Sequence, residues 1–249
     1  FCRGIDIESF IEYCSLEDRI IYFHNLKFDS SYILSYLLTH GYSWSNKRAL
    51  NKHEFSTLIS NMGQFYSVTV CFGDTTTTFY DSLKLIRLSV EQIAKAYGLT
   101  FRKLEIDYDK PRPEGYTPTD EEWEYQHADV AIMSQALHIL FSEGLTKITQ
   151  GSNALWGYKE IIGKKNFKRW FPVLLPEIDA FCRKSYKGGA TQVHKIFANQ
   201  EIGCGITLDV NSMYPWAMYE MFLPFGEPIY YTGKYRQDKL YPLYIQKLS

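Results

Sequence analysis

This 249-residue chain lacks any apolar run long enough to cross a membrane as a helix, and no secretory leader is expected. Cysteine is scarce and scattered. Cys2, Cys14, Cys71, Cys182 and Cys204 are odd in number and none is spaced as a pair. That argues against a disulfide framework or a zinc site and fits a reducing compartment, so a cytoplasmic, non-secreted protein without a membrane partner is expected. Internal repeats and low-complexity tracts are also missing, and with 45% hydrophobic residues and 16% aromatics the chain is not a disordered one. It could hold one large domain or two smaller ones. A strong overall charge is absent as well, the formal net value being -1. That figure hides an asymmetry, because Phe101 to Gly144 carries four Lys/Arg against ten Asp/Glu, and Leu145 to Gln200 carries ten against three. An acidic segment beside a basic one suits metal-dependent chemistry next to a polyanion, and it equally suits two solvated faces.

The pattern along the chain is that of an α/β protein. Gly4 to Cys14 reads as a short capped helix with Ile7, Phe10 and Ile11 on one face. Arg19 to His24 reads as a buried strand, followed by a helix whose stripe is Tyr32, Ile33, Tyr36 and Leu37. A polar loop comes next, then two strands, Gln64 to Phe72 and Thr75 to Tyr80, hinged on Gly73-Asp74. Val90 to Tyr97 is a helix closed by Gly98, and Thr119-Asp120-Glu121-Glu122 caps a long helix that Gly144 stops. Near the end of the chain, Ile206-Thr207-Leu208 is β-prone and delivers Asp209 before a polar turn. A helix then starts near Pro215.

Several carboxylates sit where chemistry could use them. Asn25 and Asp29 lie four apart at a strand-to-helix junction and so share a side; an N-cap Asn with a first-turn Asp gives the same spacing. Asp129 falls in line with Met133, Ala136, Leu137 and Leu140, where an acid is costly unless paired or metal-bound, and Tyr125 lies one turn before it. Asp209 ends a strand pattern as either a metal ligand or a turn residue. Lys164-Lys165-Asn166-Phe167-Lys168-Arg169-Trp170-Phe171 interleaves cations with rings, as a solvated helix face or a nucleic-acid contact would.

Taken together these segments resemble the protein-primed family B DNA polymerases of phages and linear plasmids. Tyr22-Phe23-His24-Asn25-Leu26-Lys27-Phe28-Asp29 is similar to that family's second exonuclease motif, and Tyr125 with Asp129 to its Tyr-x-x-x-Asp third motif. Ser82-Leu83 resembles the Ser/Thr-Leu motif, Lys103-Leu104-Glu105-Ile106 the Lys-x-x-hydrophobic motif, and Tyr186-Lys187-Gly188-Gly189 the Tyr-x-Gly-Gly linker. Asp209-Val210-Asn211-Ser212-Met213-Tyr214-Pro215 resembles the first polymerase motif.

The resemblance implies a ribonuclease-H-like 3′-5′ exonuclease domain over 1–149, without its first strand. It further implies the start of a polymerase palm over 150–220 and the beginning of a terminal-protein-contacting insertion over 221–249. It implies Mg2+ or Mn2+ in two-metal sites. Asp29, Asp129 and Asp209 would be the metal ligands, Tyr125 would orient a water, and Lys103 would steady charge near the phosphate. Asn25, Phe28, Ser82 and Leu83 would grip a 3′ end, with Tyr22, His24 and Tyr108 as outer contacts. Tyr186, Gly188 and Gly189 would meet DNA, Val210 would offer its carbonyl to the incoming triphosphate, and Tyr214 would lie under its sugar. The implied partners are single-stranded 3′ ends, primer-template DNA, deoxynucleoside triphosphates and a terminal priming protein.

The departures from the pattern are informative too. The family's first exonuclease motif, Asp-x-Glu on a strand, is missing. Asp6-Ile7-Glu8 is rejected as a substitute because it sits in a helical pattern only 17 residues before Asn25. The later polymerase motifs are absent and the chain opens on Phe1 rather than Met, so an internal piece is expected, and one not expected to polymerise alone. A stand-alone ribonuclease-H-like nuclease or a non-catalytic single-stranded-DNA-binding module are the competing readings.

Overall fold

The computed structural model describes residues 2–113, 115–186 and 191–246. Two compact units divide the chain, 1–157 and 158–249.

The first unit begins with α1 (Ile7–Ser15). The Asp6 carboxylate caps α1 by accepting the Ser9 backbone N–H at 2.7 Å. Asp6-Ile7-Glu8 is therefore a helix start, as its pattern predicted. Next come β1 (Arg19–Phe23), α2 (Leu26–Thr39), β2 (Ser43–Trp44), β3 (Glu54–Ile59), β4 (Phe65–Cys71) and β5 (Thr76–Asp81). The strands form one mixed sheet in the order β1-β5-β4-β3-β2. β3, β4 and β5 run antiparallel in sequence, β1 lies parallel to β5, and β2 lies parallel to β3. α3 (Val90–Ala96) and α4 (Asp120–Ser142) complete the fold, each opened by a capping box, Ser89 with Gln92 and Thr119 with Glu122. Gly98 and Gly144 end them at φ of 61° and 82°, a left-handed geometry that glycine adopts without strain.

Two apolar clusters hold this unit. One joins α1 and α2 to the sheet through Ile11, Leu26, Ile33, Leu37, Val68 and Phe79. Cys14 is buried in it, and burial pushes its thiol up to about 12, which makes it inert packing. The other cluster packs α3 on α4 through Leu85, Ile93, Ile132, Ala136 and Leu137. The first unit also holds most of α5 (Gln150–Ile162).

Several sequence expectations need correction. The run expected as a buried strand, β1, is an edge strand, half-buried with Ile20 exposed, because it pairs with β5 alone among the described residues. Tyr32 is exposed, and the buried face of α2 is Leu26, Ser30, Ile33 and Leu37. The stretch expected as polar loop contains β2 and β3, of whose residues only Phe55 is buried, so that no clear alternation marks them.

The second unit carries α6 (Lys164–Trp170), α7 (Pro176–Ser185) and α8 (Met213–Glu220). The β-prone run Ile206 to Leu208 forms no strand and is exposed, since no other segment pairs with it among the described residues. α8 begins at Met213, two residues before the expected start, with Pro215 in its first turn. No described helix is long and apolar enough to cross a membrane.

Candidate active site

The first unit assembles two polar clusters from the predicted residues. The first forms where the parallel strands β1 and β5 end level with each other, Phe23 opposite Asp81. The chain leaves β1 through His24 and Asn25 and leaves β5 through Ser82 and Leu83, so two segments distant in sequence become neighbours. His24 Nε2 lies 2.8 Å from the Leu88 carbonyl, which only accepts, so Nε2 carries the proton. His24 Nδ1 lies 3.1 Å from the Ser82 hydroxyl, which also lies 2.9 Å from the Phe23 carbonyl. Ser82 is thus buried and locked between the two strand ends, while Asn25 and Phe28 face solvent. Phe28 is 63% exposed and meets Tyr32 edge-on, which leaves a ring face open to a partner. Tyr22 is packed instead, its ring 5.6 Å from both Tyr80 and Phe141.

Asn25 occupies the N-cap position of α2, but it is left-handed at φ 81° and its side chain makes no capping bond. The simple capping explanation of the Asn25/Asp29 spacing therefore fails. Asp29 is half-buried in the first turn of α2. Burial pushes its carboxyl above the ordinary value, its own backbone N–H pulls the other way, and the charge of Asp81 adds to the rise.

The second cluster joins Lys103 to α4. Lys103 Nζ donates to Tyr125 OH at 2.7 Å and to the Asp129 oxygens at 2.8 and 3.2 Å. The apparent misfit of an acid on an apolar stripe is resolved here, because the buried face of α4 is Ala128, Ile132, Ala136 and Leu137, and Asp129 flanks it, paired. Burial pulls the Lys103 ammonium down, but its hydrogen bonds to Asp129 and Tyr125 and the Asp129 charge outweigh this, so the net direction is up. Burial pushes the Tyr125 phenol up to about 12, opposed by the bond from Lys103 and aided by the one with Tyr108. Tyr108 OH lies 2.5 Å from Tyr125 OH, and the remainder of Tyr108 is exposed.

Sequence reasoning missed what holds Tyr108 there. Glu122, at the third position of α4, accepts from Thr119 N at 2.8 Å, Tyr116 OH at 2.8 Å and Arg112 Nε at 3.0 Å. Lys110 lies 3.6 Å away, and Arg112 also donates to the Asp107 carbonyl at 2.8 Å. The Thr119 N–H, ahead of Tyr116, Arg112 and Lys110, lowers the Glu122 carboxyl to about 2 in spite of burial. Only the capping-box spacing hinted at this. Asp81 was missed as well, because the strand pattern stopped at Tyr80.

In the second unit, Asp209 and Val210 are exposed. The Val210 carbonyl accepts the Met213 N–H at 3.3 Å, and left-handed Ser212 (φ 54°) turns the chain into α8, where Tyr214 is exposed. Tyr186 ends α7 in solvent. Gly188 and Gly189 lie outside the described residues. Phe167 in α6 and Phe171 just after it pack their rings on Tyr158 and on each other, while Lys165, Lys168 and Arg169 remain exposed. Among the described residues no group of three or more His, Cys, Asp or Glu could hold a metal ion.

Comparison with known proteins gives the family. The DNA polymerase of Bacillus phage Nf is 42% identical over 98% of this chain, and the chain spans 43% of that relative's length. The structure superposes with TM-score 0.88 and 41% identity on phi29 DNA polymerase complexed with primer-template DNA and incoming nucleotide. That match covers 96% of this chain and 42% of the other. Against phi29 DNA polymerase complexed with single-stranded DNA the TM-score is 0.87 at 41% identity, over 96% and 43% of the two chains. The mixed α/β fold with its five-stranded sheet is thus shared with part of phi29 DNA polymerase and is consistent with a ribonuclease-H-like domain. The family model for DNA polymerase type B, organellar and viral, matches residues 14–248, which take in both polar clusters and the Asp209 turn, and the chain belongs to that family.

Proposed function

We propose that this chain is the part of a protein-primed, DNA-directed DNA polymerase that carries a 3′-5′ proofreading site, over 1–149, and the opening of the polymerising site, over 150–220. Residues 221–249 would then begin a segment contacting a terminal priming protein. The observation that carries the reading is the Lys103–Tyr125–Asp129 cluster, where a cation, a phenol kept protonated and a carboxylate meet within 3.2 Å. That set can neutralise a phosphate oxygen and orient a water. The Asn25–Phe28 face adds a carboxamide and an open ring, the two groups needed to bond and stack a terminal nucleotide. The relative solved with single-stranded DNA supports a single-stranded ligand.

Type B DNA polymerases use divalent ions, and Asp29 fits one. Burial and the Asp81 charge disfavour its ionised form, and among the described residues no cationic side chain pairs with it. Asp129 bonds Lys103 through both oxygens but keeps lone pairs for a ligand or its water. With Mg2+ or Mn2+ bound there, the ion would neutralise phosphate charge and acidify a water. Asp209 would serve the triphosphate of a deoxynucleotide in the same way, with Val210 and Tyr214 beside it.

The test is fluorescence anisotropy with the 249-residue chain, Mg2+ and a short single-stranded oligonucleotide. The chain should bind a free 3′-hydroxyl end more tightly than the same oligonucleotide ending in a 3′-phosphate. Asn25→Ala and Phe28→Ala should each erase that difference. Equal affinity for both ends would defeat the proofreading reading and favour a non-catalytic single-stranded-DNA-binding module.

A further inference from the structure

We propose that Asp81 is a positioning residue that holds the two grip segments, Asn25–Phe28 and Ser82–Leu83, in register for a 3′-terminal nucleotide. The inference rests on the proofreading reading of this site. Asp81 is 3% exposed and ends β5. Its Oδ1 accepts two backbone N–H groups from different segments, Asn25 at 3.0 Å and Leu83 at 3.0 Å. Its Oδ2 lies 3.4 Å from Lys84 Nζ, which in turn donates to Gln64 at 2.8 Å. A buried carboxylate is costly unless several donors meet it, and here the donors are the backbones of two proposed DNA-contacting residues.

The bond to Asn25 has a further consequence. Asn25 stands at φ 81°, a conformation that non-glycine residues rarely hold, and no side-chain cap keeps it there. The bond from its N–H to Asp81, together with the Asn25 carbonyl accepting the Phe28 N–H at 3.0 Å, fixes the turn. The Asn25 side chain is thereby left available to a ligand. The Ser82 hydroxyl, bridging to the Phe23 carbonyl and to His24, ties the same two strand ends. Asp81 reaches the ligand only through these neighbours.

The test uses the full 249-residue chain with Asp81→Ala and Asp81→Asn. Each is titrated in Mg2+ with an oligothymidylate ending in a free 3′-hydroxyl and with its 3′-phosphorylated form, while amide exchange is followed at Asn25 and Leu83. Asp81→Ala should cut the preference for the free end about ten-fold and speed exchange at both amides; Asp81→Asn, whose amide oxygen still accepts, should cut it about three-fold. A merely stabilising role would lower the melting temperature and leave the ratio of the two affinities unchanged. If Asp81→Ala does not fold, Asp81→Asn decides: a drop in the ratio supports the proposal, and a wild-type ratio overturns it. No end preference in the wild-type chain would sink the proofreading reading, and this inference with it. A wild-type preference that Asp81→Ala leaves intact would overturn the role of Asp81 alone.

Discussion

Lys103 and Asp129 meet at 2.8 Å across 26 positions of sequence, each side chain about a quarter exposed (28% and 25%). An isolated pair at such exposure contributes little to stability, but Tyr125 closes it into a network through the same ammonium. A double-mutant cycle of Lys103→Met and Tyr125→Phe should therefore show a coupling energy of about 1 kcal/mol in urea unfolding. Additive single effects would mean that Lys103 and Tyr125 act independently.

Asp29 sets stability against function. Its folded-state carboxyl titrates above the ordinary value, so the folded chain is penalised where the group is ionised, and the penalty fades as the pH falls through that raised value. Asp29→Asn should stabilise the metal-free chain at neutral pH by about 1 kcal/mol or less, measured by thermal or urea melts. The same substitution should reduce the stabilisation of the first unit by millimolar Mg2+. A destabilised variant that gains as much from Mg2+ as the wild-type chain would remove Asp29 from the metal site.

Glu122 gives the opposite pH dependence. Its carboxyl is lowered to about 2 by the Thr119 N–H, the Tyr116 hydroxyl and the Arg112 and Lys110 cations. Its contribution is therefore fully present above the ordinary glutamate value of about 4.5 and is lost as the pH falls from there towards about 2. Unfolding of the wild-type chain should become easier over that window. Glu122→Gln should be less stable at neutral pH and should show a shallower acid dependence. Because Glu122 pins the loop carrying Tyr108, the same variant should loosen the contact between Tyr108 and Tyr125, readable as faster amide exchange over residues 107–113.

The helices α1 to α4 and one hairpin were legible because their signals are local, whereas α5 and α7 were not read as helices. Ser89 with Gln92, Thr119 with Glu122, and the glycines at 98 and 144 all act within one turn, and Gly73-Asp74 sits between two β-prone runs. Asn25 with Asp29 and Tyr125 with Asp129 came from spacing and Lys103 from motif resemblance, and the structure gathers them into two clusters. What escaped depends on pairing. β2 and β3 are largely exposed, and pairing makes them strands, β3 against β4 and β2 against β3. Ile206 to Leu208 has strand composition and no partner strand among the described residues. Asp81 matters because β1 lies parallel to β5 with Phe23 opposite it, a register that no local pattern encodes.

The basic helix α6 tests whether this chain meets nucleic acid through phosphates. Phe167 and Phe171 pack against Tyr158, and the exposed cations Lys165, Lys168 and Arg169 remain for a backbone contact. Lys164 differs from them, since Glu160 lies 3.4 Å from its ammonium. Each phosphate neutralised on a single strand contributes a slope of about −0.7 in a plot of log affinity against log salt. If all three cations contact phosphates, replacing them together with Ala should flatten that slope by about 2 units and weaken binding at low salt far more than at high salt. Single-stranded oligonucleotides of different sequence should lose affinity equally, because phosphate contacts carry no base information. A wild-type affinity that stays flat from low to moderate salt would exclude a phosphate-led mode. A variant with the wild-type slope would leave α6 a solvated face.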